Sequence, residues 1–245
     1  MIRTHPAYTR MAKCWQNTSL DVTVKLRFNS YVKEKYDHRL PNRAGSLHLL
    51  GGNLALDFAN TESGRNGPHH LNHIQSATDI VTWARHAEII DDGAALTDMR
   101  QEQEGLFVEG QALRETIYQI NSTLAGGHHP SPHTTQALAR AHGKTLQSAT
   151  LALRDGQYSW IWGPDAKLAD VVLGPIAHAA VVLLTQSDRK RIKQCQGNHC
   201  GWLFYDSTKN NSRRWCDMSV CGNRSKIKAL RKRREAHNPK PEPTP

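Results

Sequence analysis

The amino-acid sequence predicts an α+β protein, in which a mainly α-helical N-terminal domain with one small β-hairpin precedes a small C-terminal module ending in a basic helix. Three observations predict this class. Apolar residues recur at helical spacing through most of residues 74–187. An Asp-Gly dipeptide at 155–156 separates two alternating apolar runs. Four of the five cysteines lie between residues 195 and 221, just before the strongest run of Lys and Arg.

Charge is distributed unevenly along the 245 residues. Residues 1–43 carry a net charge of +6, residues 44–188 carry −7 and residues 189–245 carry +11, so the chain carries +10 overall. An acidic body joined to a basic C-terminal module indicates two functions on one chain, the second directed at an anionic polymer or surface.

This distribution and the changes in periodicity predict the domain organisation. Residues 1–44 lack sustained periodicity and residues 237–245 are rich in proline. We predict a basic, disordered extension at 1–44, a helical domain at 45–188, a C-terminal module at 189–236 and a disordered tail at 237–245.

The first element falls in "LHLLGGNLALDFANT", where apolar residues alternate at positions 54, 56 and 58 as in a half-buried β-strand. We therefore predict a strand that ends in a turn or a cap. Asp57, Asn60 and Thr61 are expected to form a polar network at the strand end. A ligand pocket lined by the same three residues is the alternative.

Three helices are predicted next. Residues 74–90 place apolar side chains on one helical stripe, and the "DDG" sequence that follows ends it. Residues 103–125 repeat the pattern and end in a Gly/Pro/His loop, after which a third helix is expected at 133–149. A β-hairpin is predicted at 150–162, because Asp-Gly readily adopts the positive φ angles of a tight turn.

Residues 165–187 are predicted to form a long buried helix that Pro175 kinks, since a proline inside a helix removes a hydrogen bond and clashes with the preceding turn. The most apolar run, 171–184, has 14 residues, fewer than the roughly 20 of a membrane span. His178 within it is expected to be a satisfied core histidine. The N-terminus lacks a secretory pattern, so we expect a cytoplasmic protein without a membrane span.

The cysteines Cys195, Cys200, Cys216 and Cys221 form two CxxxxC pairs separated by fifteen residues. Two thiolate pairs joined by a hairpin-length spacer are typical of tetrahedral zinc sites. Four protein ligands leave no open coordination position, so we predict one structural zinc ion. In a reducing compartment disulfides are the less favoured alternative, and an iron–sulfur cluster would use the same ligands.

Within the spacer, "WLFYD" is predicted to be a strand and "STKNNSRRW" a turn with a basic return strand. The aromatic residues there are expected to form a small core around the metal, with base stacking as the alternative; they are Trp202, Phe204, Tyr205 and Trp215. We expect this module to fold independently of the helical domain.

After the last cysteine, seven Lys and Arg residues lie between positions 224 and 234. Asn223 is placed to cap a helix whose apolar residues, Ile227 and Leu230, are expected to dock on the zinc module. The basic side chains would then face outward on a helix that fits the DNA major groove, although a solvated basic face is the alternative. The predicted nucleic-acid contacts are Arg213, Arg214, Asn223, Arg224, Lys226, Lys228, Arg231, Lys232 and Arg233.

An enzyme is a third hypothesis. His69, His70 and His73 lie close together near Asp57 in the sequence, where they could bind a second metal or support acid–base chemistry. However, the chain has fourteen histidines, and no Ser/His/Asp set, P-loop or dinucleotide glycine pattern accompanies this cluster. We therefore expect a protein that is not an enzyme.

The segment "SRRWCDMSVCGNRSK" resembles the CGNR zinc-finger family, named for Cys221-Gly222-Asn223-Arg224. Upstream, "GGNLALDFANT" and the apolar helix leading into "IKQCQGNHCGWLFYD" resemble the ABATE-type domain that accompanies this finger in bacterial proteins regarded as stress-induced transcription regulators. The resemblance covers about residues 45–235. It implies zinc held by the four cysteines, DNA binding through the C-terminal module and a bacterial cytoplasmic setting.

The leading functional hypothesis is therefore a DNA-binding transcription regulator, associated with the nucleoid, whose C-terminal module is a treble-clef or ribbon-like zinc finger. The helical domain is expected to receive a small-molecule or protein signal, or to form a homodimer. The alternative is an RNA-binding or redox-responsive zinc protein, since oxidised thiolates release their metal.

Overall fold

A computed structural model describes most of the chain. The described residues are 43–65, 67–91, 100–154, 156–163 and 165–237. The predicted N-terminal extension and C-terminal tail lie outside them, apart from Arg43, Ala44 and His237.

The described residues form an α+β structure, as predicted, with more helix than strand. The helices are α1 (Leu54–Ala59), α2 (Ala77–His86), α3 (Arg100–Ala125), α4 (Pro132–Leu146), α5 (Leu168–Gln186) and α6 (Asn223–His237). The strands are β1 (Glu62–Ser63), β2 (Leu71–Asn72), β3 (Ala149–Arg154), β4 (Gln157–Trp162), β5 (Ile192–Gln194) and β6 (Leu203–Tyr205). Consecutive strands pair into three antiparallel two-stranded sheets. Short 3₁₀ helices occupy Ala44–Ser46 and Arg189–Arg191, and a π-helical turn, Met218–Gly222, leads into α6.

The strand predicted around residues 54–58 is wrong, because this segment is helix α1. The Asn53 side chain accepts a hydrogen bond from the Ala55 N–H at 2.9 Å and so caps the helix. Every residue from Ala55 to Ala59 is buried. A short segment that is buried on all sides carries no diagnostic period, so its alternating apolar residues did not distinguish a strand from a helix.

The other predicted elements of the helical domain are present with shifted ends. Helix α2 is shorter than predicted, because Ser76 caps it and Glu88, just after its end, has a positive φ of 58°. Helix α4 ends at Leu146, so that Ala149 can begin the hairpin. The predicted hairpin is confirmed, with Leu151 opposite Trp160.

Helix α5 lies at the centre of the helical domain. Among the described residues it is the one helix that is long and apolar enough to cross a membrane, with 19 residues and a mean hydropathy of 1.9. However, 56% of that stretch is buried inside the protein. Gly174 lets Trp162 pack directly on α5, since a Cβ there would lie 2.3 Å from the indole. His178 packs beside His142, and burial lowers the pKa of His178 to about 4. These are the features of a core helix.

The C-terminal module has a small core around its cysteines, but its sheet also packs into the core of the helical domain. Ile192 of β5 and Leu203 of β6 belong to the same buried cluster as the apolar residues of α1, α3 and α5. The Asn60 amide also pairs with the backbone of Leu203, donating to its carbonyl and accepting from its N–H, both at 2.8 Å. In addition, the Tyr205 N–H donates to the Gly51 carbonyl at 2.8 Å. These contacts dock the module on the helical domain, and its independent folding stays a prediction.

We predict that Asn60→Ala weakens the whole fold. The substitution leaves the buried N–H and C=O of Leu203 without partners, at a cost of about 1–3 kcal/mol for each group. The free energy of unfolding at saturating zinc should therefore fall by about 2–6 kcal/mol, as measured by urea denaturation.

The matched control is Asn121→Ala. Asn121 is also buried, but its amide donates only within α3, to the Ile117 carbonyl. We expect a smaller loss for this variant, because α3 keeps its own backbone hydrogen bonds. Equal losses for the two variants would contradict a special role of Asn60 in docking the module.

Candidate metal centre and nucleic-acid interface

The four predicted cysteine ligands come together at one point. Their sulfur atoms all lie within 4.8 Å of one another. Among the described residues, this is the one group of three or more His, Cys, Asp or Glu side chains placed closely enough to hold a metal ion. The Sγ atoms of Cys200 and Cys216 are 3.6 Å apart, and those of Cys216 and Cys221 are 3.7 Å apart. Tetrahedral zinc with Zn–S bonds of about 2.3 Å requires sulfur separations of about 3.8 Å. The donor set and its geometry therefore fit one zinc ion.

The first cysteine pair lies in a tight turn that follows β5. Its backbone includes two positive φ angles, 56° at His199 and 74° at Gly201. Gly197 lies against the sulfurs, because a Cβ there would be 3.0 Å from the Cys221 Sγ and 3.4 Å from the Cys195 Sγ. The Gly197 N–H donates to the Cys195 Sγ at 3.4 Å. Hydrogen bonds from the Cys200, Cys216 and Cys221 thiols, and from the Cys216 N–H, lower the pKa of Cys195 and favour the thiolate that binds metal.

The second cysteine pair leads directly into α6. Asp217 caps this segment, because its carboxylate accepts from the backbone N–H groups of Ser219 and Val220. The predicted cap at Asn223 is wrong, since Asn223 is already helical and its amide donates to the Ser219 carbonyl at 3.0 Å. Gly222 allows close packing, because a Cβ there would lie 2.4 Å from the Met218 sulfur. Thus Gly222 and Asn223 brace the turn that carries Cys221.

The predicted aromatic core around the metal is confirmed for Trp202, Phe204 and Trp215. Phe204 is fully buried among the cysteines, and the two tryptophans pack against it. Tyr205 instead packs against the core of the helical domain. The predicted return strand in "STKNNSRRW" is wrong, because β6 pairs with β5, which precedes the first cysteine.

Asp206 organises the irregular segment that replaces this strand. Its fully buried carboxylate accepts from the Lys193 ammonium at 2.7 Å, from the Arg213 N–H at 2.8 Å and from both donors of Thr208. Burial alone would raise the pKa of Asp206, but these hydrogen bonds outweigh it and lower the pKa to about 2. The carboxylate thus stays ionised and holds the loop on β5.

Arg213, one of the predicted nucleic-acid contacts, has its guanidinium turned inward. It donates to the carbonyls of Leu50, Trp215 and Cys216 and lies over the Phe204 ring at 4.2 Å. These contacts connect the helical domain to the zinc site. Arg214 is different, since its side chain is exposed, donates to Gln196 and lies 5.2 Å from the Trp215 ring.

Helix α6 extends away from the zinc site. Ile227 and Leu230 are 50% and 53% exposed, so the prediction that they dock on the zinc module is wrong. The helix is held at its first turn, where the Trp215 indole donates to the Ser225 hydroxyl at 3.2 Å. The remaining predicted contact residues on α6 are all exposed; they are Arg224, Lys226, Lys228, Arg231, Lys232 and Arg233.

The polar residues of "GGNLALDFANT" hold the C-terminal module and the α1 segment. Asn60 docks β6, as described above, and the Thr61 hydroxyl donates to the Phe58 carbonyl at 2.7 Å. The buried Asp57 carboxylate accepts from the Gly51 N–H at 2.6 Å. Gly51 in turn bonds Tyr205 of β6. The sequence-based capping interpretation was therefore nearer to the structure, but it missed the partners across the chain.

The histidines next to this segment have separate partners. His70 Nε2 lies 2.7 Å from a Glu62 carboxylate oxygen, and His73 Nε2 lies 3.2 Å from the Ser63 hydroxyl. His69 is exposed. In the described residues, these three do not form a metal-ligating cluster of the kind that the cysteines form.

Sequence reasoning missed an ion-pair network that also joins the two parts of the protein. Arg65 pairs with Glu62 at 2.8 Å and with Glu115 at 2.7 Å, and its guanidinium lies 3.8 Å from the centre of the Tyr118 ring. The Tyr118 hydroxyl accepts from Gln194 of β5 at 2.9 Å. These residues are distant in sequence, and no local pattern in the chain indicates their association.

Fold and site together define a class of protein: a helical domain that docks a four-cysteine zinc finger and leaves a basic helix exposed. The chain belongs to the ABATE family, described as "Putative stress-induced transcription regulator", whose model matches residues 52–187, more than half of the chain. A model of the CGNR zinc finger matches residues 191–234. Both resemblances are thereby confirmed, as is the assignment of one zinc ion to the four cysteines. No curated protein sequence matches the chain.

We predict that Asp57 makes stability depend on pH. Burial raises the pKa of Asp57 from 3.8 to about 7, against smaller opposing effects of the Gly51 N–H and the Arg213 charge. Between pH 4 and 7 the folded protein therefore holds a proton that the unfolded chain has released, so stability falls as pH rises through this window. Asp57→Asn keeps an oxygen acceptor for Gly51 but cannot ionise. Above pH 7 the variant should be more stable than the parent, by up to about 4 kcal/mol.

The measurement is urea denaturation of both proteins at several pH values from 5 to 8, with zinc saturating throughout. The difference in free energy of unfolding between variant and parent should increase with pH and level off above pH 7. A difference that is constant across this range would show that Asp57 does not ionise within it.

Proposed function

We propose that this protein is a zinc-dependent DNA-binding transcription regulator that reads duplex DNA with α6. The observation that carries the proposal is the exposure of the basic residues of α6, on a helix whose first turn is bonded to the zinc site. The family description and the zinc-finger match support a regulator that binds metal. DNA recognition by α6 is the further step that we propose.

The way in which α6 is attached to the zinc finger supports recognition of specific bases rather than non-specific binding to DNA. Its first turn is fixed by the ligand Cys221, by the Asn223–Ser219 bond and by the Trp215–Ser225 bond. A helix held in this way can enter the major groove with its direction defined, so that individual side chains face individual base edges. The proposed contacts are Arg214, Arg224, Lys226, Lys228, Arg231, Lys232 and Arg233. Arg213 and Asn223 serve this interface by bracing it.

In this proposal the zinc ion has a structural role and the protein is not an enzyme. The four-sulfur site supports the structural role, because a zinc ion with four protein ligands has no coordination position left for a substrate or a water. The helical domain would receive the signal, a small molecule or a protein, since it is acidic and contacts the finger through several buried bonds. The proposed setting is the bacterial cytoplasm, on the nucleoid.

The test is selection of the zinc-loaded protein against randomised duplex DNA at about 150 mM salt, where purely electrostatic binding is weakened. We expect an enriched sequence motif that disappears when the zinc is chelated. Retention without a motif, with preference for single-stranded RNA, would favour the RNA-binding alternative. Release of zinc by low peroxide, with no nucleic acid retained, would favour a redox-responsive protein.

Two substitutions separate base readout from phosphate contact. Arg224 lies on the first turn of α6, next to the zinc ligand, so we expect it to contact a base; Lys232 is two turns further on and is expected to contact phosphate. Arg224→Ala should cost about 1–3 kcal/mol at one base position of the selected motif. Lys232→Ala should weaken binding to all duplexes alike. Exposed Arg140 of the helical domain provides the control, Arg140→Ala, which should bind as the parent does. Uniform losses for both α6 variants would exclude base readout by Arg224.

We further propose that the protein acts as a homodimer formed through the β3–β4 hairpin. The outer part of one hairpin face is apolar and exposed, with Leu151 54%, Leu153 60%, Tyr158 70% and Trp160 38% exposed. Leu151 lies opposite Trp160 and Leu153 lies opposite Tyr158, so the four side chains form one continuous face. Exposed apolar patches of this kind mark interaction sites in soluble proteins.

A second copy of the chain is the occupant that suits this face. The face carries no charged residue, so two copies can meet without burying like charges; its residues are Ala149, Leu151, Leu153, Tyr158, Trp160 and Trp162. The four exposed side chains offer on the order of 400 Å² per protomer, about half of the area that each partner gives to a standard interface. Backbone and flanking residues of the hairpin supply further area. One finger contacts few base pairs, and a dimer would double the site.

The expected result is a dimer in sedimentation equilibrium at micromolar concentration. Leu153→Thr/Tyr158→Thr should be monomeric and equally well folded, because both residues are exposed and threonine suits a strand. Gln157→Thr, on the opposite face of the same hairpin, should remain dimeric. A monomeric parent, or a double variant that is still dimeric, would contradict this interface.

A further inference from the structure

A cleft of about 630 Å³ lies where the helical domain meets the zinc finger. One wall is the C-terminal end of α3, with Leu124 and Ala125, together with Gly127 just beyond it. The floor follows β5 and the residues on either side of it, from Arg189 to Gln196. Arg213 and Arg214 close the far side. The cleft is separate from the exposed surface of α6.

The lining of this cleft is strongly basic. Five of its residues are cationic and none is acidic; the cations are Arg189, Lys190, Lys193, Arg213 and Arg214. Two of these cations have partners within the protein, since Lys193 pairs with Asp206 and Arg213 donates to backbone carbonyls. Three remain on the surface, because the side chains of Arg189, Lys190 and Arg214 are exposed. Asp188 is the neighbouring carboxylate, and it is paired with Arg191 at 3.7 Å.

Contacts through Trp215 link the cleft to the first turn of α6. Arg214, at the end of the cleft, contacts the Trp215 ring at 5.2 Å. The Trp215 indole in turn donates to Ser225 in the first turn of α6. The Trp215 side chain therefore lies between Arg214 and α6, the helix that contacts DNA in the proposed function. At the other end of the cleft, Arg189 and Lys190 belong to the 3₁₀ helix before β5.

Length favours a polymer as the ligand. The segment from Arg189 to Gln196 spans roughly 20 Å, given the rises of a 3₁₀ helix and a strand. One DNA strand carries a phosphate about every 3.4 Å along the helix axis, so the cleft faces several phosphates at once. A single small anion would need cations that converge on one point. The exposed cations here are instead spread along the cleft, from Arg189 and Lys190 at one end to Arg214 at the other.

We propose that this cleft is a second nucleic-acid site, which binds the phosphate backbone of the same DNA duplex that α6 reads. The proposal rests on the proposed function, because it requires the protein to bind duplex DNA. The cleft contributes affinity and orientation without reading sequence, as phosphate contacts do. Arg189 and Lys190 bind phosphates on the flank of the recognised sequence, and Arg214 joins the two surfaces.

The test is the salt dependence of duplex binding by the full, zinc-loaded chain. Arg189→Gln/Lys190→Gln removes two exposed cations, and each phosphate contact contributes about 0.9 to the slope of log K against log salt. The slope should therefore become about 1.8 units shallower. If parent and variant bind alike at 1 M salt, this corresponds to roughly 60-fold weaker binding at 0.1 M. The preferred sequence should stay the same.

The matched control is Arg140→Gln/Lys167→Gln, which removes the same charge from exposed positions on the helical domain. It should keep the parent slope. Zinc content and the circular dichroism spectrum should be the same for all three proteins, which shows that the loss does not come from unfolding.

The outcomes separate the cleft from the proposed function. A parent that binds no duplex would overturn both. A parent that binds, with a cleft variant that matches the control, would overturn the cleft alone. Inorganic pyrophosphate and ATP are the probes for a small-anion site. Micromolar binding of either to the parent, lost in the cleft variant while the DNA slope is unchanged, would also overturn the proposal.

Discussion

The structure depends on how the outer edge of β6 is satisfied. The zinc finger has a sheet of only two strands with three residues each, so β6 presents N–H and C=O groups that β5 cannot pair. Asn60 and Gly51 of the helical domain supply those partners, at Leu203 and Tyr205. A side-chain amide and a loop carbonyl thus act as a third strand. Buried polar groups without partners are costly, so the finger stays where the helical domain holds it.

This docking links the metal to the helical domain. Arg213 bonds the carbonyls of Cys216, beside the metal, and of Leu50, beside Gly51, while Asp57 holds Gly51 in place. These bonds connect the zinc site to the packing of α1, so we expect zinc binding and the folding of the helical domain to stabilise each other. The same bonds offer a physical route by which a change in the helical domain alters the position of the finger. Coupling of this kind needs no motion of the zinc ligands relative to one another.

Features that depend on local patterns could be predicted from the sequence, whereas contacts between distant residues could not. The zinc ligands were predictable because thiolate spacing is a local constraint, and the long helices and the hairpin because their periods extend over many residues. Helix α1 was not predictable, because five consecutive buried residues show no alternation between buried and exposed positions. The role of Asn60 depends on a partner 143 residues away. The exposure of Ile227 and Leu230 likewise depends on the direction in which the π-helical turn points α6, which no residue pattern within α6 determines.

That direction has an energetic consequence for α6. The helix has 15 residues and is fixed at its first turn, and a helix of this length is marginal in water by itself. Cations four residues apart on it, such as Arg224 with Lys228 and Lys228 with Lys232, repel one another along its surface. Phosphates placed between these side chains would remove the repulsion, so a bound polyanion stabilises the helical state. In the proposed function, helix formation beyond the first turn and nucleic-acid binding are thermodynamically linked, so that each increases the other by the same factor.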